Sequence, residues 1–249
     1  MTRISVELVP RDIELLSEEL KALKTSLDNE IDFINIPDLL SCELRSWDGA
    51  KVAGKYFSDV IPHIRAMDFD FTRELPIKKQ LRESNVKEVL VIEGDPPQNM
   101  LHRVYPTIST DIIKQFSEEM PDIKVYAGID QYRSSIKEEE YRIRRKLLAG
   151  AKGFFTQPFF DICYLEVYAD ILDGLDIYWG VSPVLSERSV SYWRNKNSAI
   201  FPKSFEPTLE WNIDFARKVI KFAKEHNHNV YLMPIKAKTM PYLEGVFAK

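Results

Sequence analysis

An alternation runs the whole length of this chain, and it limits what the chain can fold into more than any other feature. A short apolar run is followed by a longer amphipathic stretch, and the pair recurs eight times. The first run is "ISVELVP" (4–10). It leads into "RDIELLSEELKALKTSL" (11–27), where isoleucine and leucines fall at three- and four-residue spacing, the period of a helix with one buried face. Further runs at 32–37, 61–69, 87–94, 123–129, 153–160, 175–183 and 229–235 read as strands. Helical sequence lies at 47–58, 74–84, 109–120, 135–151, 161–174, 186–195 and 208–227, with a short last helix in "TMPYLEGVFAK". The strands are apolar on both sides, as strands enclosed between a packed interior and outer helices should be. Eight such units predict an α/β fold of the (β/α)8 TIM-barrel type, one domain over 1–249. An open doubly wound sheet is the alternative. It is disfavoured because no GxGxxG follows the first strand.

Composition narrows the function classes. With 34 basic and 38 acidic residues the net charge is −4 and no basic stripe stands out, so nucleic acid is a poor partner. No run approaches the roughly 18 apolar residues of a membrane span, and "MTRISVELVP" lacks the apolar core of a signal peptide. Cys42 and Cys163 form no CxxC or Cys/His spacing, which points away from a disulfide framework or zinc site and toward a reducing cytoplasm. His226 and His228 lie in "KEHNHNVYL", a polar turn with too few convergent ligands for a metal. Self-association, or assembly with a partner subunit, is compatible with this composition.

In such barrels the chemistry sits at the C-terminal ends of the strands. Reading those ends gives Glu7, His63, Asp68, Glu93, Asp95, Gln157 and Ser182. Glu7 interrupts an apolar run, and a buried carboxylate without a partner costs several kcal/mol, so it faces water, a partner or a ligand. Asp95, in "VLVIEGDPP" (89–97), is either a turn-former or a ligand-facing acid. Gln157, between "FFT" and "PFF", either caps a backbone group or offers a donor and an acceptor to one edge of a heterocycle. On helix 135–151, Arg142, Arg145 and Lys146 share a face, as a solvated charge cluster or as an anion site.

"SVELVP", "IPHIRAMD", "VIEGDPP" and "AGAKGFFTQPFFD" together resemble the successive landmarks of the methylenetetrahydrofolate reductase family, in the family order and across nearly the whole chain. The resemblance implies a flavoprotein of one-carbon metabolism and methionine biosynthesis. FAD would take hydride from NADH or NADPH and pass it to methylenetetrahydrofolate, yielding the 5-methyl form. Carried over by position, Glu7 is the general acid, Asp95 sits near flavin and pterin, and Gln157 bonds the pterin edge. His63, Gly94 and Tyr105 match cofactor contacts, Arg145 and Lys146 the pair facing the FAD diphosphate, and Tyr192 or Trp193 a ring stacked on folate. Glu7, Asp95 and Gln157 are then expected to converge on one cavity.

The chain departs from the family pattern at strand ends. Glu93 stands where the family has arginine in Arg-Gly-Asp, and "GIDQYRSS", "NIPDLL" and "LMPIKAK" replace the family segments after strands five, two and eight. Two alternatives follow: a flavin-less folate barrel, reducing folate directly or working as a one-carbon methyltransferase or partner subunit, and a non-catalytic scaffold.

Overall fold

A computed structural model describes residues 2–97, 102–235 and 237–248. Its eight strands are β1 (Ile4–Glu7), β2 (Phe33–Ile36), β3 (Val60–Arg65), β4 (Glu88–Ile92), β5 (Lys124–Ile129), β6 (Gly153–Pro158), β7 (Ile177–Val181) and β8 (Asn229–Leu232). They pair in parallel, each with its neighbours in sequence, and β8 closes on β1. The barrel read from the alternation is the observed fold. Around it run α1 (Ile13–Leu27), α2 (Ser46–Ala53), α3 (Lys78–Glu83), α4 (Ser109–Glu119), α5 (Ile136–Ala149), α6 (Ile162–Ile171), α7 (Glu187–Lys196), α8 (Leu209–Glu225) and α9 (Thr239–Phe247).

Strand alternation sorts the apolar residues into two cores. Phe33, Ile61, Leu90, Tyr126, Phe155, Tyr178 and Tyr231 point inward and fill the barrel, with Phe155 and Tyr178 stacked at 4.2 Å. Residues of the other parity, among them Ile34, Val89, Val125, Phe154, Trp179 and Leu232, pack against the helices. The inner layer is closed below by the Arg3 guanidinium, which donates to Glu88 at 3.2 and 3.1 Å and to the Tyr178 hydroxyl at 3.0 Å. Helix starts carry side-chain caps where the sequence supplies them: Asp12 on α1, Ser135 on α5, Asp161 on α6, Ser186 on α7 and Thr208 on α8.

Every strand is shorter than the apolar run that predicted it, and β3 and β6 show how a run outlasts its strand. β3 stops at Arg65, and Ala66–Asp68 turns as a single 3₁₀ turn. There the Met67 N–H donates to Glu93 O at 3.3 Å and the Met67 carbonyl accepts the Tyr105 N–H at 2.8 Å, so the turn clamps the β4–α4 loop instead of extending the sheet. β6 ends at Pro158, with the Phe159 N–H still donating to Gly180 O at 2.9 Å.

Candidate functional site

Two residues beyond the inner layer, the strands carry the groups that face the barrel mouth: Glu7, Asn35, His63, Ile92, Gly128 and Met233. Side-chain bulk is unevenly shared. At Gly128 on β5 there is none, and beside it a cavity of about 600 Å³ opens between the ends of β4, β5 and β6, the start of α4 and the inner face of α5. Asp95, Gly94, Gln157, Arg142, Arg145 and Lys146 line it, as do Arg65, Glu93, Asp130, Arg133, Glu139 and Asn197.

Gln157 reaches this cavity through an irregularity. The β6–β7 register runs from Phe155 opposite Tyr178 to Pro158 opposite Gly180, one residue more on β6 than on β7, a bulge that re-aims the side chain between. Gly180 makes the bulge possible, because a Cβ there would meet Thr156 O at 2.5 Å and Gln157 O at 2.8 Å. Across the cavity the Nδ2 of Asn197 is buried without a hydrogen-bond partner among the described residues, a donor left for a ligand or water.

Asp95 is held by its backbone. Arg65, buried at the end of β3, donates Nη2 to Asp95 O at 2.8 Å and pairs with Asp68 at 3.3 Å. Asp68 is shared with Arg45 at 2.6 Å, and Arg45 also holds the fully buried Asp38 side chain at 2.5 Å. Gly94, at φ +88°, takes a conformation L side chains rarely adopt, and a Cβ there would lie 3.2 Å from the Arg65 guanidinium. The glycine therefore lets the loop sit on Arg65.

Glu93 closes the other edge of the loop. Its carboxylate accepts the Ser109 N–H at 3.1 Å and the Ser109 hydroxyl at 2.8 Å, at the first turn of α4. Facing it from α5, the buried Lys146 ammonium donates to Gly128 O at 2.7 Å and lies 3.9 Å from Glu139. Burial lowers the Lys146 pKa, and the carboxylates of Glu139 and Glu93 oppose that shift. Arg142 pairs with Glu138 at 2.7 Å and Arg133 with Asp130 at 3.1 Å. Arg145 is exposed and has no acidic partner among the described residues.

The opposite side of the mouth is packed. Glu7 is buried on β1 and accepts a short hydrogen bond from the Tyr231 hydroxyl of β8. Burial pushes its carboxyl from the ordinary 4.5 up to about 7, and the Tyr231 bond holds the rise back. His63, buried on β3, lies 3.3 Å from the Asn35 amide oxygen, and burial lowers its pKa to about 3, so the imidazole is neutral. The ring of His63 stands edge-on to Tyr231 at 6.3 Å between centroids.

The expected single cavity thus holds Asp95 and Gln157 but not Glu7, which does not line it; Tyr231, from the strand that closes the barrel, covers that carboxylate. His63 does not line it either and spends its contacts inside the barrel. Tyr105 lies on the outer arm of the β4–α4 loop under Arg103 at 4.9 Å. Trp193 is buried against Phe160 at 5.7 Å in a satellite cluster, while Tyr192 sits on the exposed side of α7, and neither lines the cavity. Ser182 is buried outside it. Sequence reasoning passed over Arg65 and Asn197. A lone arginine at the end of apolar β3 was a signal for the first, and nothing local marks the second.

Among the described residues, no group of three or more His, Cys, Asp or Glu is placed to hold a metal ion, and no helix is long and apolar enough to cross a membrane.

No family model matches the chain. A curated 5,10-methylenetetrahydrofolate reductase from Buchnera aphidicola subsp. Schizaphis graminum is 20% identical over 147 residues, 57% of this chain and 50% of that enzyme. The match therefore spans about half the relative's length. Among solved structures, a Clostridium thermocellum protein that binds two copies of 5-methyl-5,6,7,8-tetrahydrofolic acid is similar at a TM-score of 0.64 and 13% identity, over 98% of this chain and 93% of that one. A 2,3-dimethylmalate lyase of the PEP mutase/isocitrate lyase superfamily follows at 0.60 and 14%, over 97% and 77%. An oxaloacetate acetylhydrolase gives 0.61 and 10%, over 97% and 78%. At these identities the structural likeness establishes the barrel. The sequence resemblance to the reductases rests on the landmarks and the partial curated match.

Proposed function

We propose that this barrel binds a reduced folate across its C-terminal rim and reduces the 5,10-methylene bridge to a 5-methyl group, with NADH or NADPH as the hydride donor. Glu7 is the observation that carries the reading. Below its pKa of about 7 the carboxyl is protonated, so at neutral pH a substantial fraction holds a proton ready to give. That proton goes to N10 of the folate. The bond from N10 to the methylene carbon breaks with its electron pair left on nitrogen, and an iminium cation remains at N5. Hydride adds to the methylene carbon and completes the methyl group.

Asp95, at the cavity wall, would stabilise the cation electrostatically. Gln157 and the unpaired Asn197 amide would bond the pteridine edge. For this to happen the ligand must bridge from the cavity to Glu7, with Tyr231 moving aside or acting as the relay.

FAD would be held by Arg145 and Lys146 and would supply hydride relay. The fit is poor. Lys146 is already engaged by Gly128 O and Glu139, and Glu93 adds a negative charge on the same side.

A second reading has its own support. Glu7 lies outside the cavity, which favours a folate-binding barrel without reduction, a methyltransferase or partner subunit handling 5-methyltetrahydrofolate. One measurement tests both readings and a second separates them. Binding of 5-methyltetrahydrofolate, followed by intrinsic fluorescence, is expected on both. Nicotinamide oxidation dependent on 5,10-methylenetetrahydrofolate, absent in Glu7→Gln, is expected on the first alone. If the folate does not bind, both readings fail.

A further inference from the structure

Glu93 ends an apolar strand with a charge, and its neighbours indicate what the charge is for. Both carboxylate oxygens are occupied by one residue, Ser109, whose N–H and hydroxyl open α4. A helix start with free N–H groups, a hydroxyl and a nearby ammonium is an ordinary donor set for a phosphate. Here the helix start, the Ser109 hydroxyl and Lys146 stand around the same cavity, and a side chain of the protein itself occupies the place of the anion. An arriving diphosphate would have to displace that carboxylate from Ser109 or lie beside it. Either way it meets like charge, with Glu139 already drawing on the same lysine.

We infer that Glu93 is a built-in anion that bars a cofactor diphosphate from the α4–α5 side of the cavity, which sets the protein against FAD bound there and leaves NADH or NADPH to place its own diphosphate elsewhere on the rim. The exclusion stands on the Glu93–Ser109–Lys146 geometry. Only its consequence, that reduction proceeds without bound flavin, rests on the proposed function. It also assigns a role to the departure from the family's arginine: the substitution does more than weaken one contact, because it fills the site.

The test is a titration of the full chain with FAD, inorganic pyrophosphate and riboflavin, followed by flavin fluorescence and calorimetry. The wild-type protein is expected to purify colourless and to bind FAD no better than riboflavin. Glu93→Gln keeps the shape and removes the charge. It should tighten FAD and pyrophosphate by about tenfold, the scale of one like-charge contact in a half-open site, and leave riboflavin unchanged. Adding Lys146→Met to Glu93→Gln should reverse the gain. A wild-type protein that carries or takes up FAD with micromolar affinity overturns the inference, whether or not the variant folds. So does a well-folded Glu93→Gln protein with wild-type affinity for FAD, or one whose gain extends equally to riboflavin. A parallel titration with 5-methyltetrahydrofolate separates the two claims: failure there counts against the folate reading and leaves the exclusion standing on its own data.

Discussion

The two halves of the barrel mouth treat their carboxylates in opposite ways. On the β1–β8 side Glu7 is enclosed by strands, receives one hydroxyl and is pushed toward neutrality. On the β4–β5 side the acids stay at an open cavity among guanidinium groups, an ammonium and a helix start. The difference is solvent and partners. A carboxyl buried with a single neutral donor, as Glu7 is, holds its proton until about neutral pH, because burial without a countercharge disfavours the ionised form. One half can therefore supply a proton, and the other can hold a charge in place.

The largest effect is expected where the closed half is broken. Glu7→Gln should lower turnover by roughly 10² to 10⁴, the usual worth of a positioned acid, while folate affinity changes less than twofold. The same substitution should stabilise the fold at alkaline pH. Because the Glu7 pKa is about 7 folded and 4.5 in the ordinary state, the native protein binds the extra proton between those values. Stability on account of Glu7 is thus complete below about 4.5 and falls away as pH rises through 7, by about 3 kcal/mol. Neighbouring His63 works the other way: with its pKa lowered to about 3 from 6.5, its contribution is full above 6.5 and lost on acidification. Urea unfolding at pH 5 and pH 8 should show Glu7→Gln gaining at the higher pH only. Equal gains at both would remove burial as the source of the shift.

Next in size is the support of the open half. Arg65→Met leaves Asp68 and the Asp95 carbonyl without their buried donor and should cost about 3 kcal/mol in urea unfolding. If Asp95 acts through this anchor, Arg65→Met and Asp95→Asn should weaken folate binding by less in combination than the sum of the single effects. Strict additivity would mean that the anchor does not position Asp95.

A smaller change sharpens the acid itself. Tyr231→Phe removes the hydroxyl that favours the ionised form of Glu7. The alkaline fall in turnover should then move up by about one pH unit. A shift downward would mean that the tyrosine holds the protonated form instead. Least of all should follow from Arg145→Gln. This arginine is exposed with no acidic partner among the described residues, and its loss should change stability by less than about 0.5 kcal/mol in thermal unfolding.

Much of the fold could be read from the chain. The runs at 4–10 and 229–235 contain β1 and β8, and the period of the stretches between runs marks the helices. The misreadings are local. The run at 61–69 continues past Arg65 in apolarity but not in conformation, because Met67 finds its backbone partners in Glu93 and Tyr105, residues distant in sequence. The site was read less completely. Asp95, Gly94, Gln157, Arg142, Arg145 and Lys146 line one cavity, and no feature of their own segments reveals that Glu7, His63, Tyr105, Tyr192 and Trp193 lie off it. Gly128 passed as an ordinary strand residue, although the bulk it withholds is part of why the hollow lies beside β5.

The sequence by itself determined the barrel, its order and the end at which polar groups collect, because hydrophobic period and strand-end chemistry are properties of neighbours along the chain. Tertiary structure alone decided which acid keeps its proton up to about neutral pH, which is tied to a helix and which shares a wall with Gln157. Glu7 meets Tyr231 across 224 positions and Glu93 meets Ser109 across 16. Proton affinity depends on such partners and on the water they exclude, and both are set only when the last strand closes on the first.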